Sequence, residues 1–392
     1  RNCENGVGRM NFKLSEEQTM LKESVTRFIR ERYDFDQRKQ IIKSEEGYSP
    51  DCWATFAELG WLSIPFAEEY GGFGGTIEDV AIVMEEMGKG MIVEPYVPTV
   101  LMFGQLLALS QNNELKSEYI PKIIVGSYLG AFAYLERQSR YEITDIRTRA
   151  TVQDDNYIVN GEKAVVYGAG NANALIITVR TSGEQFDRDG VTLLLLESDC
   201  PGVETKPYQM MDGQMAANVT FNNVSVPQSN VLGSVDAGAE LMEALVPLVI
   251  LATSAEALGI MSVLNELTIS YAKTRNQFGA PISSFQALQH RMVDNFMAVE
   301  QSRSMLYRGL CAYGEEEAET PIECLRSLHA MKVIISKSAK RVGEDAVQIH
   351  GGMGMTDELN IGHYLKRLIS INTLFGDADF HQKKFNELSY KT

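Results

Sequence analysis

Cysteine, basic charge and long apolar runs are all scarce in this chain of 392 residues. The five cysteines, Cys3, Cys52, Cys200, Cys311 and Cys324, are odd in number, widely spaced and never set at a metal-ligand interval. That spacing excludes a disulfide scaffold and a zinc ribbon, and it fits a reducing compartment, so a cytoplasmic protein is expected. Lys and Arg total 36 against 52 Asp and Glu, a formal charge of −16. With the basic residues scattered among acids, no nucleic-acid partner is expected. No stretch reads as the ~18 uninterrupted apolar residues of a membrane span, and none is expected. The opening RNCENGVGRM lacks the apolar core of a secretory signal; MNFKLSEEQ from Met10 reads as a natural beginning and leaves residues 1–9 outside the fold. Internal repeats are missing, and neither a G-x-G-x-x-G nor a Walker loop follows a strand.

What remains is ordinary globular composition, 44% apolar and 22% charged. The length exceeds one simple core and implies two or three sub-domains. Three regions differ in hydrophobic period. Over residues 11–128 the pattern is helical: Ser15 caps SEEQTMLKESVTRFIRERY, whose Leu21, Val25 and Phe28 recur at spacings of three and four. Residues 129–236 hold short runs rich in Val, Ile, Leu and Tyr, separated by Asp154-Asp155-Asn156, Asn160-Gly161 and Asp189-Gly190. These predict an antiparallel β-sandwich or barrel. Helical period returns over 237–392, predicting a C-terminal four-helix bundle, with Leu288, Met292 and Phe296 at four-residue steps as part of its core. The fold class is therefore α+β: a helical domain, a β domain, then a bundle.

Two stretches of the third region carry chemistry. TRNQFGAPISSFQALQHR (274–291) joins two long helices and contains Arg275, Gln277 and Phe278. An Arg offers a phosphate a fixed fork of donors, and a nearby aromatic can cover a purine face. VQIHGGMGMTDE (347–358) places Gly351, Gly352 and Gly354 after Gln348. One glycine suffices for a helix cap, whereas three in four positions let the backbone approach a ligand and present N–H groups to an anion.

With these two stretches, LSEEQ, PFAEEYGG, NGEKAVVYGAGNA and VPQSNVLG occur in an order that resembles the acyl-CoA dehydrogenase family over residues 13–385. LERQSRYEITDIRT, SAEALG and LFGDADFH are most similar to the pimeloyl-CoA dehydrogenase small-subunit group. The resemblance implies FAD, with Arg275, Gln277, Phe278, Gln348, Gly351 and Gly352 at its pyrophosphate and adenosine, and a flavin shared between subunits of a homo- or hetero-tetramer. It also implies an acyl-CoA substrate, medium or bulky and conceivably dicarboxylic or steroid, in fatty-acid or side-chain β-oxidation, with an electron-transferring flavoprotein as acceptor.

The family removes the α proton of the thioester with a carboxylate while a hydride leaves the β carbon. Here the late base slot holds Phe375 and the early one Val249. General-base catalysis contributes roughly 10²–10⁴-fold, so an empty slot matters. Glu256, the only charged residue between Glu243 and Glu266 and two helical turns past Val249, and Asp377, two positions past Phe375, are the candidate replacements. Each has a plainer role, Glu256 as an ion-pair partner and Asp377 as a helix N-cap. LERQSR and AVVY stand where many relatives have a TEP turn and a Trp-bearing strand against the flavin ring, with Tyr167 a possible contributor. The expected function is FAD-dependent dehydrogenation of an acyl-CoA to the trans-2-enoyl thioester, as one subunit of a heteromer whose unlike partner supplies the base. Its alternatives are a self-sufficient homotetramer and a non-catalytic subunit that shares flavin.

Overall fold

A computed structural model describes residues 13–314 and 320–390. Six helices come first: α1 (Glu16–Arg32), α2 (Phe35–Ile41), α3 (Pro50–Glu58), α4 (Ile77–Gly90), α5 (Gln105–Leu109) and α6 (Asn113–Ile124), with a π-helical run, Tyr96–Gly104, leading into α5. The N-cap of α1 forms as its sequence demands. Ser15 Oγ accepts the Gln18 N–H at 3.1 Å and Gln18 Oε1 accepts the Ser15 N–H at 3.1 Å, satisfying two otherwise orphaned donors. Val25 and Phe28 are buried on its inner face.

Eight strands follow: β1 (Gly130–Ala133), β2 (Arg149–Gln153), β3 (Asn156–Tyr167), β4 (Ala174–Arg180), β5 (Val191–Glu197), β6 (Val203–Gln209), β7 (Met215–Pro227) and β8 (Val231–Leu232). They form one sheet in the order β6-β7-β3-β2-β4-β5-β8, with β1 added on β4. Most pairings are antiparallel, but β1 runs parallel to β4, and β2 touches β4 in the parallel sense at Arg149. The antiparallel expectation is corrected there. A parallel neighbour needs a long crossover, and the segment between β1 and β4, which includes the β2–β3 hairpin, supplies it. Side chains alternate along the strands: Val159, Leu175, Ile177, Leu194, Val219 and Phe221 share the inner core of the β domain, while Phe132, Ile176, Leu193 and Leu195 face the helices.

The last region holds α7 (Gly238–Thr274), α8 (Gln286–Gly314), α9 (Pro321–His350), α10 (Ile361–Thr373) and α11 (Ala378–Tyr390), with a small hairpin of β9 (Asn276–Gln277) and β10 (Ala280–Pro281) between α7 and α8. Every residue of α7 from 249 to 261 is buried. By length and composition this helix passes the test for a membrane span, contrary to expectation, yet 83% of the relevant window is buried within the protein. It is the central core helix. Its approach to α4 requires glycine on both sides: a Cβ on Gly88 would lie 2.3 Å from the Glu256 carbonyl, and one on Gly259 would lie 1.9 Å from the Glu85 carbonyl.

Of the stripe of Leu288, Met292 and Phe296 expected in the bundle core, Leu288 and Met292 are half-buried against a small cluster of Ala272, Ile282 and Ile349, and Phe296 departs. Phe296 is 53% exposed, next to Val293 at 56% and Met297 at 48%. Helix α8 instead buries Asn295, Ala298, Val299, Ser302 and Leu306, a face rotated from the stripe. Small residues let α8 pack closely, and the bulky ones are left outward.

Candidate functional site

The α7–α8 loop and the end of α9 form one open cleft of about 760 Å³. Arg275, Gln277, Phe278, Gln348, Gly351 and Gly352 all line it. Residues 70 positions apart in sequence meet because α7 and α9 pack along each other and end on the same side. The local causes are legible. Arg275 caps α7, its N–H bonded to the Tyr271 carbonyl at 2.9 Å, and its own carbonyl takes the Ile282 N–H at 2.8 Å, closing the hairpin. Phe278 sits at the tip with φ +54° and is 94% exposed. Gly351 ends α9 at φ +63°, and neither it nor Gly352 has any atom within 4 Å of where a Cβ would stand.

That geometry suits a dinucleotide. The Arg275 guanidinium makes no ion pair among the described residues, the glycine backbone faces open space, and an uncovered aromatic stands beside both. A diphosphate would meet the fork and could approach the bare glycine backbone closely, although the Gly351 N–H itself closes α9, and a purine would cover Phe278. Among the cleft residues that the sequence reading gave no role are Tyr271, Arg291 and His350. Tyr271 stacks on His350 with centroids 4.3 Å apart and fixes the cleft floor; its place one helical turn before Arg275 was the available signal. Arg291 is tied to Asp345 at 3.2 Å.

The reaction end is built differently. Val249 is fully buried in α7, and Phe375 is 6% exposed at φ +56°. Phe375 stacks on Tyr134 at 4.9 Å, and Tyr134 stacks on Phe132 at 5.1 Å, so three rings line up from β1 to the α10–α11 turn. Glu256 lies between α7 and α10, both carboxylate oxygens engaged by Arg367 at 2.5 and 2.7 Å. Arg367 also reaches Asp212 at 2.9 Å. Burial disfavours the Arg367 charge, but Glu256 and Asp212 outweigh it and hold the guanidinium above its ordinary range. With both carboxylate oxygens held by that fork, Glu256 has the geometry of the ion-pair partner. Asp377 caps α11, Oδ1 accepting the Phe380 N–H at 2.9 Å while Oδ2 accepts the Tyr141 hydroxyl at 3.1 Å. Its geometry is that of the N-cap.

The two altered flavin-strand motifs also meet. Glu136 of LERQSR accepts Lys163 at 2.7 Å and the N–H groups of Arg147 and Thr148 at 2.8 and 3.0 Å. Burial pushes its carboxyl up, and Lys163 with these donors brings it down to about 2. Tyr167 ends β3 at the seam between the β domain and the helices, where burial pushes its phenol up to about 12.

The chain matches the acyl-CoA dehydrogenase N-terminal domain over residues 15–127, the middle domain over 131–224 and the C-terminal domain over 241–383. It is 30% identical to an acryloyl-CoA reductase (NADH) of Anaerotignum propionicum, covering 88% of this chain and 87% of that protein. It is 28% identical to an L-prolyl-[peptidyl-carrier protein] dehydrogenase of a Serratia species, covering 95% and 97%. Among solved structures, the FAD complex of PigA superposes with a TM-score of 0.89 at 27% identity over 98% of this chain and 100% of that one.

Proposed function

The chain belongs to the acyl-CoA dehydrogenase family and is an FAD-dependent enzyme, and on that premise we propose that it dehydrogenates an acyl thioester as one subunit of an oligomer whose flavins lie across subunit boundaries. The observation that carries the shared site is the 275–278/348–353 cleft, which opens outward with Phe278 almost fully exposed. Arg275 and the Gly351 and Gly352 backbone would hold the diphosphate, and Phe278 the adenosine. FAD, when bound, supplies a two-electron acceptor for hydride. The flavin ring in this reading lies along the end of β3, at Tyr167.

The outward stripe of Val293, Phe296 and Met297 supports assembly, because contiguous exposed apolar surface is characteristic of interfaces. A tetramer, an unlike partner subunit and an electron-transferring flavoprotein as acceptor belong to the same reading. The substrate is a thioester of either coenzyme A or a carrier protein, the latter in view of the carrier-protein relative. A second reading, a flavin-sharing subunit without its own chemistry, is favoured by one observation: the Phe132–Tyr134–Phe375 stack stands where the family places a carboxylate.

The deciding experiment is purification alone and with co-expressed neighbours, reading native mass and flavin per chain. A yellow oligomer bleached anaerobically by an acyl thioester is expected. A protein that binds flavin fully as a monomer would remove the shared site.

A further inference from the structure

Six carboxyl side chains are buried among the described residues: Glu86, Glu94, Glu136, Asp145, Asp212 and Glu256. Five are matched. Glu86 takes Lys89 at 2.6 Å, Glu136 takes Lys163, Asp145 takes the amide of Gln185 at 2.6 Å, and Asp212 and Glu256 share Arg367. Glu94 differs. Its Oε1 accepts the Ser49 N–H at 3.3 Å, the Tyr33 hydroxyl stands against the carboxyl, and its Oε2 is sealed from solvent with no cation on it among the described residues. A buried carboxyl with no cation beside it is costly to ionise, so its persistence calls for a role.

The carboxyl borders a cavity of about 20 Å³ between the helical and β domains, room for roughly one water. Pro98, Tyr167, Gly168, Gln214 and Met215 share that cavity with it. The outer wall is the α2–α3 loop, pinned to the β domain where Asn171 Nδ2 donates to the Glu46 carbonyl at 2.6 Å and Gln209 donates to that of Ile42. Met215 lies directly against Gly47 in this wall, and its three rotatable bonds let it yield to a ligand.

We infer that Glu94 is the proton acceptor of this chain: its Oε2 takes the α proton of the thioester from the seam that Tyr167 also lines. The inference rests on the dehydrogenase reading above. The Cα–H bond breaks, the proton forms an O–H bond on Oε2, and the released pair becomes the Cα=Cβ π bond. The Cβ hydrogen leaves with its own electron pair to the oxidised flavin that the family activity supplies. Burial raises the Glu94 carboxyl to about 7, which suits a base working near neutrality. The titratable groups around it are Tyr33 from the end of α1, Glu46 and Tyr48 from the loop, Cys52 from α3 and Tyr167 from β3, with Arg38 of α2 beyond Tyr33.

The test uses the flavin-loaded enzyme, its Glu94→Gln and Glu94→Asp variants, and α-deuterated acyl-CoAs from butyryl to palmitoyl. Glu94→Gln is expected to keep flavin and the thioester-induced change in its spectrum, and to lose α-deuteron washout by about 100-fold or more, with part regained in Glu94→Asp. In the flavin-free protein, an infrared band of a protonated carboxyl that titrates near pH 7 should be missing from Glu94→Gln. Washout in Glu94→Gln within about threefold of wild type overturns the assignment, as does a wild type whose flavin responds to thioester without any washout. If no thioester perturbs the wild-type flavin, the dehydrogenase reading itself falls, and this one with it.

Discussion

The cleft at the ends of α7 and α9 and the seam between the β domain and the helices solve opposite problems. The cleft leaves Arg275 without an ion pair among the described residues, beside bare glycine backbone and Phe278 at 94% exposure, where water or a ligand can reach them. In the seam the charges are paired out of water, Arg367 with Glu256 and Asp212, while among the described residues Glu94 has no cation and Arg38 Nη1 no hydrogen-bond partner. Unmet valence is cheap at a surface and expensive inside, so an orphan in the seam carries more information than one in the cleft.

The strongest way to break this contrast is to remove the central cation. Arg367→Met leaves Glu256 and Asp212 buried without their partner, and the loss of stability should be about 3–5 kcal/mol by urea unfolding. A loss under 1 kcal/mol would mean that the seam is wet.

The next test is of sign. Glu94 stands at about 7 in the fold against an ordinary 4.5. Because the folded value is the higher, its contribution is fully favourable below the unfolded value and is lost as pH rises through the folded one, a difference of roughly 3 kcal/mol. The stability of wild type relative to Glu94→Gln should therefore fall between about pH 4.5 and 7 and then level off. A flat difference would place water on Oε2.

The cleft should respond in affinity rather than in stability. Arg275→Ala should weaken flavin binding about 10- to 100-fold, read by fluorescence, with the melting temperature of the flavin-free protein unchanged. Smallest of all, Gly351→Ala should cost about 1 kcal/mol, because φ +63° strains any L side chain even where there is space for it. If it instead abolishes flavin binding, the backbone there touches the cofactor more closely than the open geometry implies.

Much of this contrast was legible beforehand, and the reasons differ by residue. Ser15 and Gln18 sit three apart, so the cap of α1 follows from local chemistry. Glycines 351 and 352 announced a bare backbone, and at Gly351 φ +63° strains any L side chain. The stripe on α8 misled because periodicity reports that a face is apolar and not what covers it. Glu256 looked unusual as the lone charge in an apolar helix, yet its partner, Arg367, lies 111 positions away. Glu94 is likewise the lone charge within GMIVEPYVPTVLMFG, a signal that the sequence reading passed over.

The sequence by itself determined the α, β, α order, the helix caps and the residue types able to grip a dinucleotide, because these depend on spacings within a few turns or strands. Tertiary structure alone decided which buried carboxylates meet a cation and which does not. That outcome depends on the distances between groups brought together by packing, and on how completely water is removed around each of them.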